Sequence, residues 1–210
     1  MGRNLERDVR ERKRRLEKIL SVSFPIFAEK GIETVSMNEI ADACSIGIAT
    51  LYRHYRTKTE LVVAVSASVW NNFASEYYNQ KHNPDFTAAE NFEKYLDSYL
   101  DLYKNHKDIL QFNQYFNVYI KNIAASSEQM EPFTKVIERI AELFHDIYSS
   151  GLRDKTIRTD VSEEEMFSTT MHLMLAAVTR YAIGLVYENS SDQESELLLQ
   201  KKMLLKEFTV

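Results

Sequence analysis

Ser36-Met37-Asn38-Glu39-Ile40-Ala41-Asp42-Ala43, then Cys44-Ser45-Ile46, then Gly47-Ile48-Ala49-Thr50-Leu51-Tyr52-Arg53-His54 reads as two short helices and the turn between them. Ser36 followed three residues later by Glu39 is a capping box: the serine hydroxyl caps the new helix and the glutamate reaches back. Two helices over 36–43 and 47–54 are too short to bury a core alone. They must pack on the helix before them, where Leu16, Ile19, Leu20, Ser23 and Phe27 recur at i, i+3 and i+4. Gly31 closes that helix as the residue past its C-cap. Three helices of this size with so tight a turn have helix-turn-helix spacing, in which the second helix of the pair enters a DNA major groove.

Composition at first points elsewhere. The chain has 210 residues and a formal net charge of −5, which alone argues against a polyanionic partner. Split at Glu60, residues 1–60 carry 12 Lys/Arg against 9 Asp/Glu, and residues 61–210 carry 14 against 22. A basic head precedes an acidic body, and residues 1–18 hold eight of the basic side chains. With 5 Gly and 3 Pro the chain lacks the turns that a many-stranded sandwich or barrel needs. One Cys excludes an intramolecular disulfide framework and a Cys-based zinc site. No apolar run reaches a membrane span and no apolar segment follows the Arg-rich start, so a cytoplasmic chain is expected.

Beyond the head the period stays helical. Helices are expected over 5–30, 36–43, 47–54, 57–81, 86–104, 107–127, 132–150, 162–188 and 191–207. Thr57-Lys58-Thr59-Glu60, Ser162-Glu163-Glu164-Glu165 and Ser191-Asp192-Gln193-Glu194 supply further caps, and Asn83-Pro84-Asp85 a break. Pro132 fits the first position of a helix, and Gly151 the close of one. Pro25 falls inside the first helix, where a kink near 21–25 is expected.

The run Phe27-Ala28-Glu29-Lys30-Gly31, Ser36-Met37-Asn38-Glu39-Ile40-Ala41-Asp42-Ala43 and Thr50-Leu51-Tyr52-Arg53-His54-Tyr55-Arg56-Thr57-Lys58-Thr59-Glu60-Leu61 resembles the N-terminal DNA-binding domain of the TetR family of transcriptional repressors. The resemblance covers about residues 10–62. It implies an all-α protein of about nine helices. A helix-turn-helix head (1–56, with its basic N-terminal arm) would precede a helical bundle for ligand binding and dimerisation (57–210). It also implies a homodimer on a pseudo-palindromic double-stranded DNA operator, and a small-molecule effector. Ile40, Ala41 and Leu51 fall on inward faces. Tyr52, His54 and Lys58 match the positions that meet phosphate. Thr50 and Ser36 stand at helix starts, where hydroxyls and N–H groups reach phosphate. Ile48 and Ala49 suit a thymine methyl, and Asn38 and Arg53 suit hydrogen-bonded base readout; each is equally a plain surface residue. Departures from the family pattern are Ser45 where glycine is usual in the turn, Gly47 where a Ser or Thr cap is usual, and Ala49 where glycine is usual. The arm at 3–15 either follows the DNA backbone and minor groove or is a solvated helix start.

In the body, Tyr95, Tyr99 and Tyr103 form one aromatic stripe, and Phe112, Tyr115, Phe116 and Tyr119 another. Such stripes are core or the wall of a pocket for a flat apolar ligand, with Met171, His172 and Met174 as further lining. The helices at 162–188 and 191–207 resemble the family's dimerisation pair. Ala176, Ala177, Arg180, Tyr181, Gly184, Leu197, Leu198 and Leu204 are the expected interface. No cofactor or metal is expected, because the five histidines lack ligand spacing and there is no Gly-rich phosphate loop or HExxH. A DNA-binding protein without an inducer is the alternative reading, and an all-α enzyme a distant third.

Overall fold

The computed structural model describes residues 2–81, 83, 85–187 and 192–210. Among them are nine α-helices and no strand, with one isolated antiparallel bridge between Ile157 and Thr209. The order is α1 (Gly2–Lys30), α2 (Met37–Ala43), α3 (Ile48–His54), α4 (Lys58–Lys81), α5 (Ala88–Asn105), α6 (Lys107–Ile123), α7 (Ser127–Asp154), α8 (Glu163–Ala182) and α9 (Gln193–Phe208). The chain divides into two compact units that do not follow chain order. One comprises residues 1–70 and 112–134; the other comprises 71–111 and 135–210.

The first unit is built on Ile19, Phe27, Ile32, Ile40, Ala41, Leu51, Leu61, Val62 and Val65, all almost fully buried. Phe112, Phe116 and Tyr119 of α6 join the same core. Phe24 meets Phe112 edge-on at 5.6 Å, and Phe116 stacks on Phe112 at 6.1 Å. Edge and offset contacts of this kind add to the burial energy of the rings. α1 runs through Pro25 without ending there.

In the second unit α5 packs on α8 and α9. Phe92, Phe144 and Phe208 interlock edge-on. The N-terminus of α5 is capped three times over. Thr87 and Glu90 form a reciprocal capping box, the Ala88 N–H donates to Asp154 at 2.6 Å, and the Ala89 N–H donates to Thr156 at 3.0 Å. Lys201 of α9 donates to Asp97 at 2.6 Å and pairs with Glu93 at 2.8 Å on α5.

Several boundaries differ from those expected. α7 starts at Ser127, not 132, because Ser126 and Gln129 cap each other: the Ser126 N–H donates to Gln129 Oε1 and the Gln129 N–H to Ser126 Oγ. Pro132 therefore lies inside the helix, on an exposed face. Gly151 does not close α7. The helix continues to Asp154 and ends at Lys155, whose φ is 60°. α6 ends at Ile123 rather than 127, with Ala124 at φ 48°. α8 ends at Ala182, where Gly184 (φ 75°) closes it. The cap of α9 is Asp192; Ser191 and the Pro84 of the expected break lie outside the described residues.

Candidate nucleic-acid interface

The turn between α2 and α3 is a Schellman motif. The Ser45 N–H donates to Asp42 O at 2.9 Å and the Ile46 N–H to Ala41 O at 3.0 Å. The motif requires a left-handed residue after the C-cap, and Ser45 supplies it at φ 56°. Gly47 caps α3 in an extended conformation with no side-chain bond, and a Cβ there would meet nothing. Cys44 is buried at the end of α2, and burial pushes its thiol pKa up.

Ser36 caps α2 by accepting from the Glu39 N–H at 3.1 Å. Glu39 does not complete the box; its carboxylate binds Lys30 at 2.6 Å and ties α2 to α1. The equivalent glutamate of the α4 cap, Glu60, accepts from the Arg56 N–H at 2.7 Å, while Thr57 accepts from the Glu60 N–H.

α3 has seven residues, and one of them, Leu51, is buried. Tyr52 is 47% exposed; Ala49 and Arg53 are exposed, and Ile48, Thr50 and His54 half-buried. Thr50 accepts from Arg53 at 3.3 Å. Asn38 is exposed on α2. Lys58 is half-buried at the start of α4, donating to Glu33 O at 3.2 Å with its ammonium 6.0 Å from the Tyr119 ring. Burial lowers its pKa, with Glu33 opposing. His54 Nε2 is buried without a hydrogen-bond partner. Burial first, then Arg15, Arg12 and Arg53, lower the imidazole pKa. The expected DNA-facing side chains thus gather on and around one short outward helix, with Ile40, Ala41 and Leu51 beneath it in the core.

The residues expected to line a pocket separate. Phe112, Phe116 and Tyr119 are buried in the core of the first unit, with Tyr115 packed against it and touching the space beside Gly31. Tyr119 also shares a hydrogen bond with Thr59. In the second unit Tyr95 and Tyr99 are buried and bond hydroxyl to hydroxyl at 2.8 Å. Burial pushes the pKa of Tyr95 up to about 12 and that of Tyr99 well above its ordinary value. Tyr103 is half-buried against Tyr181, Met174 is buried, Met171 half-buried and His172 exposed.

The expected interface residues separate too. On α8, Leu173, Ala176, Ala177 and Arg180 follow i, i+3, i+4 and i+7, Gly184 lies just past its end, and none of the five is buried. Tyr181 is half-buried and donates to Glu196. On α9, Leu197 and Leu204 are buried in their own unit, so they are unavailable to a second chain. The outward apolar residues are Leu198, Leu199 and Met203, the last 62% exposed. Leu199 and Met203 are not among the residues the sequence reading offered for an interface.

Residues 19–65 match the family described as bacterial regulatory proteins, tetR family. An HTH-type transcriptional regulator of Staphylococcus aureus is 32% identical over 107 residues, 51% of this chain and 56% of that protein. The chain spans about half the length of the curated relatives it matches. Among solved structures, the transcriptional regulator FadR from Bacillus subtilis in complex with stearoyl-CoA superposes with a TM-score of 0.71 at 13% identity, covering 90% of this chain and 97% of that one. A TetR family transcription regulator from Marinobacter aquaeolei gives 0.66 at 17%, covering 95% and 98%. Residues 19–65 thus match the helix-turn-helix domain of the tetR family, and the chain as a whole shares the all-α fold of these solved regulators. Among the described residues no helix is long and apolar enough to cross a membrane, and no cluster of His, Cys, Asp and Glu is placed to hold a metal ion.

Proposed function

We propose that this chain is a ligand-responsive transcriptional repressor that binds a pseudo-palindromic operator as a homodimer. Residues 1–56 form the DNA-binding domain and 57–210 the effector and dimerisation domain. The observation that carries the reading is α3, a helix with a single buried residue and Thr50, Tyr52 and Arg53 beside its outer face. A helix that contributes so little to its own core is explained by what it presents outward. Tyr52, His54 and Lys58 hold phosphates; Asn38, Ile48, Ala49, Thr50 and Arg53 face base edges; Ser36 presents the start of α2.

The outward face of α8 with Leu173, Ala176 and Ala177, together with Leu198, Leu199 and Met203 of α9, supports a two-fold helical interface. Small Ala176, Ala177 and Gly184 permit close approach. The effector is an apolar molecule with one or two polar handles, met by Tyr95, Tyr99, Tyr103 and Met174 in the second unit. It acts by binding more tightly to the dimer whose heads are wrongly spaced, since equal affinity for both states shifts nothing. One observation favours a regulator without an inducer: Tyr95 and Tyr99 already satisfy each other's hydroxyls.

The test is selection of bound duplexes from a random pool, followed by candidate ligands. Enrichment of a two-fold-symmetric sequence is expected, with release by an apolar ligand. Failure to enrich any sequence sinks the DNA reading, and release by no ligand favours the inducer-free one. Ala177→Glu should give monomers by sizing; an intact dimer removes the α8 interface.

A further inference from the structure

Ile19 is the first residue of α1 in the hydrophobic core, and every described side chain from Arg7 to Lys18 is exposed except half-buried Leu16. About three turns of basic helix therefore stand off the core of the first unit with no interior to serve. Within that unit they form one wall of an open groove of about 460 Å³, lined by Glu11, Arg12 and Arg15 of α1 and by Arg53 and His54 of α3. Glu11 is engaged by Arg7 at 2.9 Å, so the charge of the groove is set by three guanidinium groups. Like charges gathered around one cleft repel until an anion enters. Guanidinium is also the side chain whose planar donors match a phosphate in pairs.

We propose that this groove seats one or two phosphates of the DNA backbone, gripped by Arg12 and Arg15 from α1 with the charge of Arg53 from α3 at its rim, so that the projecting turns of α1 act as a backbone clamp beside the recognition helix. The inference rests on the reading of the head as DNA-binding. His54 borders the seat. The groups facing it are Arg12, Arg15 and Glu11 from α1 and Arg53 from its own helix. Burial first, and then the three guanidinium groups, lower the pKa of the imidazole. A phosphate reverses the sign of the local field, so DNA binding draws a proton onto His54 and tightens as pH falls.

The experiment uses the full chain and a duplex enriched from a random pool, with affinity measured over a salt series at about pH 6 and pH 8. In Arg12→Gln/Arg15→Gln the slope of log K against log salt should fall by about 1 to 2, on the order of 0.9 per lost phosphate contact, with the preferred sequence unchanged. Lys13→Gln, on the same helix but outside the groove, should leave the slope near that of the parent chain. His54→Gln should abolish the pH dependence. Parent protein that retains no duplex overturns the DNA-binding reading itself. Parent protein that binds duplex with the same slope as the double variant overturns the clamp alone. Inorganic phosphate that raises the melting temperature of the parent but not of the double variant, with equal DNA slopes, identifies a free-anion site and also overturns the clamp.

Discussion

Gly151→Ala should destabilise the second unit although it places a better helix former in a helix. A Cβ at Gly151 would lie 2.7 Å from the Cβ of Ile157, 3.1 Å from its Cγ1 and 3.5 Å from the Cβ of Ala88. Carbon atoms pack at about 3.5–4.0 Å, so a gap of about 1 Å must be opened. The clashing atom is a Cβ, which moves only with its backbone, and that backbone is held on both sides. Ile157 is bridged to Thr209, the Arg158 N–H donates to Phe208 O at 2.9 Å, and the Val210 N–H donates to Thr156 O at 3.0 Å. Overpacking of this kind costs about 1–3 kcal/mol. Replacing a helical glycine by alanine returns about 1 kcal/mol. Because the clash is with a Cβ tied to a pinned backbone, the upper part of the overpacking range, about 2–3 kcal/mol, applies. The net is a loss of about 1–2 kcal/mol, or a melting temperature lower by about 2–8 °C at this chain length. Thermal unfolding followed by circular dichroism measures it. Ile157→Ala should not rescue the variant, because alanine keeps the clashing Cβ. An unchanged or raised melting temperature, or full rescue by Ile157→Ala, would refute the steric argument.

Ser45→Gly should stabilise the first unit by about 1 kcal/mol by relieving a left-handed non-glycine residue, read as a higher urea midpoint. Lys201→Met should destabilise the second unit by about 2 kcal/mol, less than for a fully buried pair because Asp97 and Glu93 are partly exposed. Burial pushes the Lys201 pKa down, but the bonds to Asp97 and Glu93 outweigh it and the net shift is upward. A raised lysine pKa stabilises below the unfolded value of about 10.4, and that contribution is lost as pH rises through the folded value. The alkaline fall in melting temperature should therefore be steeper in the parent than in Lys201→Met. For Asp154, burial pushes the pKa up, but the N–H groups of Ala88 and Thr156 and the Thr156 hydroxyl carry it below the ordinary value. Its contribution is present above an unfolded pKa of about 3.9 and is lost as pH falls through the folded one. Asp154→Asn should flatten the acid limb of the stability profile.

The helices and the head were legible because their signals are local: apolar spacing, a serine before an acid, and an unusual residue where a turn needs a positive φ. Ser45 is an example, since it stands where glycine is usual in the turn and its φ is 56°. Gly151 was not legible, because its reason is Ile157 packed against it across the turn that ends α7. On α9 the inward stripe is Leu197, Lys201, Leu204 and Phe208. A lysine in that stripe hides it, and the run Leu197-Leu198-Leu199 then leaves the outer face undetermined. The cap at Thr87-Ala88-Ala89-Glu90 had a sequence signal that the expected start at 86 obscured. The two aromatic stripes look alike in sequence. Only the folded chain assigns Tyr95 and Tyr99 to one unit, and Phe112 and Phe116 to the other.

That last division bears on modularity. Phe112 and Phe116 belong to the same core as Phe27 and Leu51, although about sixty residues of chain separate them from Leu51. A fragment cut after α3, or even after the first turns of α4, would leave a hole where two phenylalanines belong. Burying rings of that size is worth about 1.5–3 kcal/mol each, and a three-helix fragment has little stability to spare. The recognition helix is therefore not a cassette that moves by itself. A chimera that grafts this head onto another regulator's body has to bring α6 and the start of α7 with it, or supply rings of matching shape from the new host.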